Sequence, residues 1–221
     1  MRRSALIQGW FAIAVSGSEK GMEQATEQRK PFASGGPAGL VTLAFYISFL
    51  WPLSTGLVDP AYAPALIPLG ISVAIAQIAS GVIELRNGHI LEGTIPLAFS
   101  CFMALGAGEA ALALAGSLPE GTGAIDGHIM LVMGLFMSFL LIHAVREPLM
   151  VCMFYLMNAC FFSLAGVSRL ADLPALNTVA NTFMLLVAVT AFWCGMAQLL
   201  ETSDGRPVLW MGRPLLRKSC K

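Results

Sequence analysis

Charge is what this chain has least of. Only 12% of its 221 residues are Asp, Glu, Lys or Arg, against about 25% in ordinary soluble domains. The few charges also cancel, with 13 basic and 13 acidic residues and a net charge of zero. No basic stripe remains to attract nucleic acid. Metal-type spacing is lacking too. There is no CxxC, and the three histidines, His89, His128 and His143, lie far apart, so no metal site or cofactor is expected. No Gly-rich phosphate loop, GxSxG or HExxH occurs, so no enzyme reading has a constellation to stand on. Strict apolar/polar alternation is absent as well, which excludes the strands of a membrane barrel.

Apolar sequence fills the space. The chain is 57% hydrophobic with a mean hydropathy of +0.74. A soluble fold of this size has no interior large enough for so much apolar surface, whereas a bilayer is itself a solvent for it. Six apolar runs follow one another: Ala38 to Leu53, Ala61 to Ile83, Thr94 to Leu118, Ile129 to Val145, Leu149 to Val167 and Leu173 to Leu200. Each is near the ~20 residues that cross a hydrocarbon core as a helix. The sequence therefore predicts an all-α polytopic membrane protein. Its parts are an N-terminal tail (1–37), a six-helix membrane domain (38–200) and a C-terminal tail (201–221). Residues 5–15, behind Arg2 and Arg3, have the outline of a signal peptide. They lack a good cleavage site, and read as a tail. Cys101, Cys152, Cys160 and Cys194 fall in apolar runs and are expected to be small buried hydrophobes; Cys220 is next to last.

The basic residues orient the spans. Arg2, Arg3, Lys20, Arg29, Lys30, Arg86, Arg146, Arg206, Arg213, Arg217, Lys218 and Lys221 fall on one side of a six-span chain, and Arg169 alone on the other. The positive-inside rule places both termini in the cytoplasm.

Polar groups inside the spans are functional candidates. Glu109 lies two-thirds along the third run, on one helix face with Phe99, Phe102, Gly106 and Ala113. It is the candidate for proton coupling. Gln77 and Glu84 are seven apart and share a face. Glu84 reads as a solvated helix-end charge beside Arg86, and Gln77 either as an amide meeting a carboxylate in transit or as an interhelical hydrogen bond. Asn177, Asn181, Gln198 and Asn158 are further polar positions, and His143 reads as interfacial. Ala107, Ala111 and Ala115, with Ala104 and Gly108, recur at helix-contact spacing and predict close packing or oligomerisation.

Three ordered segments carry a resemblance. Ala76-Gln77-Ile78-Ala79-Ser80-Gly81-Val82-Ile83-Glu84-Leu85-Arg86-Asn87-Gly88-His89 resembles the AQ-x-x-x-G-x-x-E-x-x-x-G-N signature of the acetate uptake transporter family, the succinate–acetate permeases. Ser34-Gly35-Gly36-Pro37-Ala38-Gly39-Leu40 is similar to that family's N-P-A-P-L-G-L, and Gly205-Arg206-Pro207-Val208-Leu209-Trp210-Met211-Gly212 to its G-R-T-V-L-P-x-G. The resemblance spans about residues 33 to 213. It implies transport of acetate or related short monocarboxylates, by proton-coupled uptake or as an anion channel. It also implies a homohexamer with a pore in each protomer, in a cell, plasma or organellar membrane. By motif the pore constriction falls on Leu43, Phe99 and Leu156, and Glu84, Gly88, Gly205 and Arg206 are motif positions. Gln77, with backbone N–H groups near Pro37 and Gly39, is expected to meet the carboxylate, since helix starts favour anions. The chain departs from the pattern at several places. Leu43 and Phe99 replace Phe and Tyr, Ser34-Gly35 replaces Asn-Pro, Gln198 replaces Glu, and Glu109 replaces an apolar residue. These departures keep two other readings open: a non-transporting sensor or scaffold, and a channel for another small solute such as ammonium or ammonia.

Overall fold

The structure, a computed structural model, describes residues 32–216. The described helices all belong to the unit Ser34–Lys221. Residues 1–31, which include the tail-or-signal segment and five of the basic residues, lie outside the described residues, as do Arg217, Lys218, Cys220 and Lys221.

Among the described residues, six helices are long and apolar enough to cross a membrane. They are α1 (Gly36–Ser54), α2 (Leu66–Arg86), α3 (Ile90–Leu114), α4 (Thr122–Ala144), α5 (Leu149–Leu170) and α6 (Pro174–Asp204), with a 3-10 turn at Pro60–Ala65 before α2. No strand occurs among the described residues. The helices begin and end where backbone chemistry dictates, rather than where hydropathy changes. α3 starts at Ile90 and stops at Leu114, four residues away from the apolar run at each end, because Gly116 takes a φ of +65°. α4 starts seven residues before its run, at Thr122, directly after Gly121 with φ +86°. Apolar content marks what lipid accepts, and left-handed glycines mark where the helix turns out.

The helices pack in the order α3, α2, α1, α6, α5, α4. α3 and α4, at the two ends of this row, do not pack backbone to backbone. An aromatic cluster closes the row instead. Phe162 on α5 meets Phe99 and Phe102 on α3, with ring centroids at 6.0 and 5.2 Å. Between lipid-soluble helices the hydrophobic effect offers little drive, so close packing has to hold them together. Two helix pairs show how. A Cβ on Gly81 of α2 would sit 2.7 Å from the Gly93 carbonyl oxygen of α3, and one on Gly166 of α5 would sit 2.8 Å from that of Gly127 of α4. Only glycine permits these backbone approaches. Ala107 is buried and packs on Gly70, but Ala104, Gly108, Ala111 and Ala115 are exposed on α3. Cys152 and Cys194 are buried, whereas Cys101 is exposed, against expectation.

The start of α1 and the end of α6 define one end of the bundle, called proximal here; the other end is distal. Arg86, Arg146, Arg206 and Arg213 fall at proximal ends of helices or just after them, and Arg169 falls at a distal end.

Candidate functional site

Two cavities enter the bundle from opposite ends. The proximal one, about 390 Å³, is lined by Pro37, Gly39, Leu43, Gln77, Glu84 and Phe99, among others. The distal one, about 420 Å³, is lined by Leu50, Met130, Phe161, Arg169, Asn181 and Met184, among others.

Three helices connect them with continuous stripes. On α1, Leu43 lines the proximal cavity and Leu50 and Ser54 the distal one, with Ile47 between. On α5, Phe154 is proximal and Phe161 and Ala165 are distal, with Asn158 between. On α6, Cys194 is proximal and Met184 distal, with Val187 and Ala191 between. These 4-3-4 and 3-4-3 spacings each keep one helix face. The residues in between are all buried: Ile47, Asn158, Val187 and Ala191. Between its lining residues each stripe therefore crosses a closed barrier about two helical turns long on α1 and α5 and nearly three on α6, roughly 10 to 15 Å.

Leu43 and Phe99 stand at the floor of the proximal cavity, against this barrier. Leu156 does not. It is 38% exposed, and it is absent from the lining of both cavities. Two residues along a helix rotate by about 200°, so a side chain two positions from Phe154 and from Asn158 points away from the stripe they share. On α5 the residues of the stripe at this level are Phe154 and Asn158. The 154, 158, 161, 165 pattern was present in the sequence, but every residue in that run is compatible with a buried face.

Glu84 also departs from expectation. It is 1% exposed and is no solvated helix-end charge. Its Oε1 accepts from Ser34 Oγ at 2.5 Å and from the Gly36 N–H at 2.9 Å. Its Oε2 lies 2.7 Å from His89 Nδ1. Gly88, with φ +85°, turns the chain so that the His89 N–H bonds back to the Glu84 carbonyl at 2.9 Å. The spacing Glu84-x-x-x-Gly88-His89 thereby returns an imidazole to the carboxylate four residues before the glycine. Glu84 thus supplies the cap of α1, whose Gly35 cap position has no side chain to do it.

This changes the expected anion site. The start of α1 already holds an anion, the Glu84 carboxylate itself. Pro37 has no N–H to offer, and the Gly39 N–H bonds to Gly35 O at 3.1 Å. Gln77 lines the cavity, but its Nε2 donates to Gly39 O at 2.8 Å. That is the interhelical bond weighed above as one of its two roles. Ser80 Oγ adds a second α2–α1 bond, to Gly35 O at 2.8 Å.

Glu109 lines neither cavity. It lies within hydrogen-bonding reach of Asp126 on α4 and close to Arg169 on α5. Arg169 pairs with Asp126 and lines the distal cavity. Asn177 and Asn181 line that cavity also, and Asn181 Nδ2 donates to Ser54 O at 3.3 Å. Gln198 and His143 line the proximal one. Gly205, with φ +67°, ends α6, and its N–H bonds to Glu201 O at 2.9 Å. The segment after it, through exposed Arg206, folds back: Met211 O accepts from the Met150 N–H at 3.0 Å, and Trp210 O from Trp193 Nε1 at 2.9 Å. No group of three or more His, Cys, Asp or Glu side chains is placed to hold a metal among the described residues.

The shape has a solved counterpart. A structure described as that of the bacterial acetate channel SatP superposes with a TM-score of 0.74 at 20% identity, over 82% of this chain and 99% of that one. The chain has that channel's fold: six apolar helices forming an integral, multi-pass membrane bundle. No known family signature matches the sequence, and no curated protein does.

Proposed function

We propose that the chain belongs with the acetate uptake transporters and conducts acetate or related short-chain carboxylates through each protomer. The observation that carries this is the pair of cavities facing one another across a closed barrier, inside a bundle with the fold of an acetate channel. A closed, largely apolar neck between two vestibules gates by wetting and dewetting. Leu43 and Phe99 form its proximal lip. Phe99 has no hydroxyl to donate, so the lip selects by size and dryness.

The electrostatics support movement of carboxylate and proton together. Glu84, Glu92, Glu147 and Glu201 line the proximal cavity, and no Lys or Arg does among the described residues. A free anion is disfavoured in such a vestibule, and a proton-accompanied one is tolerated. In this reading the proximal side, where the basic residues gather, is the cytoplasmic one. The assembly proposed is a homo-oligomer, a hexamer by resemblance, with the exposed small-residue face of α3 as a packing surface.

The test is uptake of labelled acetate by proteoliposomes under a pH gradient or a voltage. No flux above empty vesicles under either defeats the carboxylate reading. One observation favours a second reading: the acid-lined proximal cavity also suits a small cation such as ammonium. Competition among acetate, propionate, succinate and ammonium in the same assay decides between them.

A further inference from the structure

One polar side chain stands inside the barrier and is only half used. Asn158 is 1% exposed at the middle of α5. Its Nδ2 donates to Phe154 O at 2.8 Å, one turn back along its own helix. That bond fixes the amide orientation, since only the NH₂ end donates. Its Oδ1 is fully buried and has no hydrogen-bond partner. It is the sole buried side-chain N or O atom so placed among the described residues. An amide oxygen in so dry a place is costly unless something donates to it.

Position says what that something is. Asn158 lies on the α5 stripe between Phe154 of the proximal cavity and Phe161 of the distal one. Its neighbours at the same level, Ile47 on α1 and Val187 and Ala191 on α6, offer no polar side chain. A solute crossing the barrier meets one hydrogen-bond acceptor and no cation. A carboxylate brings only acceptors of its own and is repelled by a lone carbonyl oxygen. A neutral carboxylic acid brings one O–H, which matches the one free acceptor.

We propose that Asn158 Oδ1 is the mid-barrier binding site of the solute, and that it takes the neutral carboxylic acid by accepting its O–H. This rests on the carboxylate reading above and names the species that passes the narrowest point. The proton enters with the acid on one side and leaves with it on the other, so no net charge crosses the barrier.

Infrared difference spectroscopy on the purified full chain with ¹³C-carboxyl acetate tests this, because the acid C=O stretch is separate from the carboxylate bands. At neutral pH the protein is expected to show a saturable acid band that propionic acid displaces. Asn158→Leu, similar in shape, weakens that binding about tenfold through loss of the acceptor. Asn158→Ser, which keeps an oxygen, restores most of it and serves where the leucine variant does not fold. The site assignment is overturned if only carboxylate bands saturate, or if the leucine variant binds the acid as wild type does. It is also overturned if ammonium displaces the band and propionic acid does not. In the first two cases acetate flux persists and the transport reading stands. If neither form saturates and flux is absent as well, that reading fails along with the site.

Discussion

At the proximal end Glu84 has a donor for each of its oxygens: Ser34 and the Gly36 N–H on Oε1, His89 on Oε2. At the distal end the Arg169 guanidinium pairs with Asp126, and Glu109 lies beside that pair. Both clusters tie neighbouring helices together. Glu84 fastens the end of α2 to the start of α1, and the distal group joins α3, α4 and α5 where α3 and α4 otherwise do not pack. The difference lies in what is left over. The proximal carboxylate is fully supplied and acts as a helix cap. In the distal group a direct carboxyl–carboxyl hydrogen bond exists only when one partner carries a proton. A buried acid in a membrane bundle therefore does not mark proton chemistry by itself; the count of donors around it does.

Removing the supplied carboxylate is expected to do most damage. Glu84→Ala strands the Gly36 N–H, Ser34 and His89 and should cost about 3 kcal/mol, seen as a lower unfolding midpoint in detergent. An unchanged midpoint would mean that the cap does not hold the α1–α2 joint. Arg169→Ala comes next. Its guanidinium is 41% exposed, so screening discounts the stability loss to about 1 kcal/mol. Uptake from the distal side should also slow, since Arg169 is the basic residue lining that cavity. Glu109→Gln should change stability by less than about 1 kcal/mol but alter the pH dependence of acetate uptake. If the pH profile is unaltered, Glu109 has no part in proton linkage and the two clusters are alike. Leu156→Ala should leave the flux unchanged and shift the unfolding midpoint least, by about 0.5 kcal/mol or less. A marked rise in flux would return Leu156 to the constriction and displace Phe154 and Asn158 from it.

Much of this was legible beforehand for specific reasons. Six apolar runs near bilayer length gave the number of helices, because the cost of burying charge or unpaired backbone in lipid allows few alternatives. Helix limits were less legible. Thr122 to His128 looks like loop by hydropathy, yet it is helical, since a helix continues until its backbone turns out and Gly121 is where it does. The motif glycines at 88 and 205 were visible as residues, but their work, a left-handed turn at each helix end, was not.

The sequence by itself determined the class of protein, the run of six helices and the side on which the basic residues gather. Hydropathy and charge act residue by residue, and a bilayer reads them in that way. Only the tertiary structure decided which polar groups are spent and which are available. It bound Glu84 to the start of α1, turned Leu156 outward, set Glu109 against Asp126 and left Asn158 Oδ1 alone in the barrier. Those outcomes depend on which helix faces meet, and hydrogen bonding between helices is a property of pairs, which no single stretch of sequence contains.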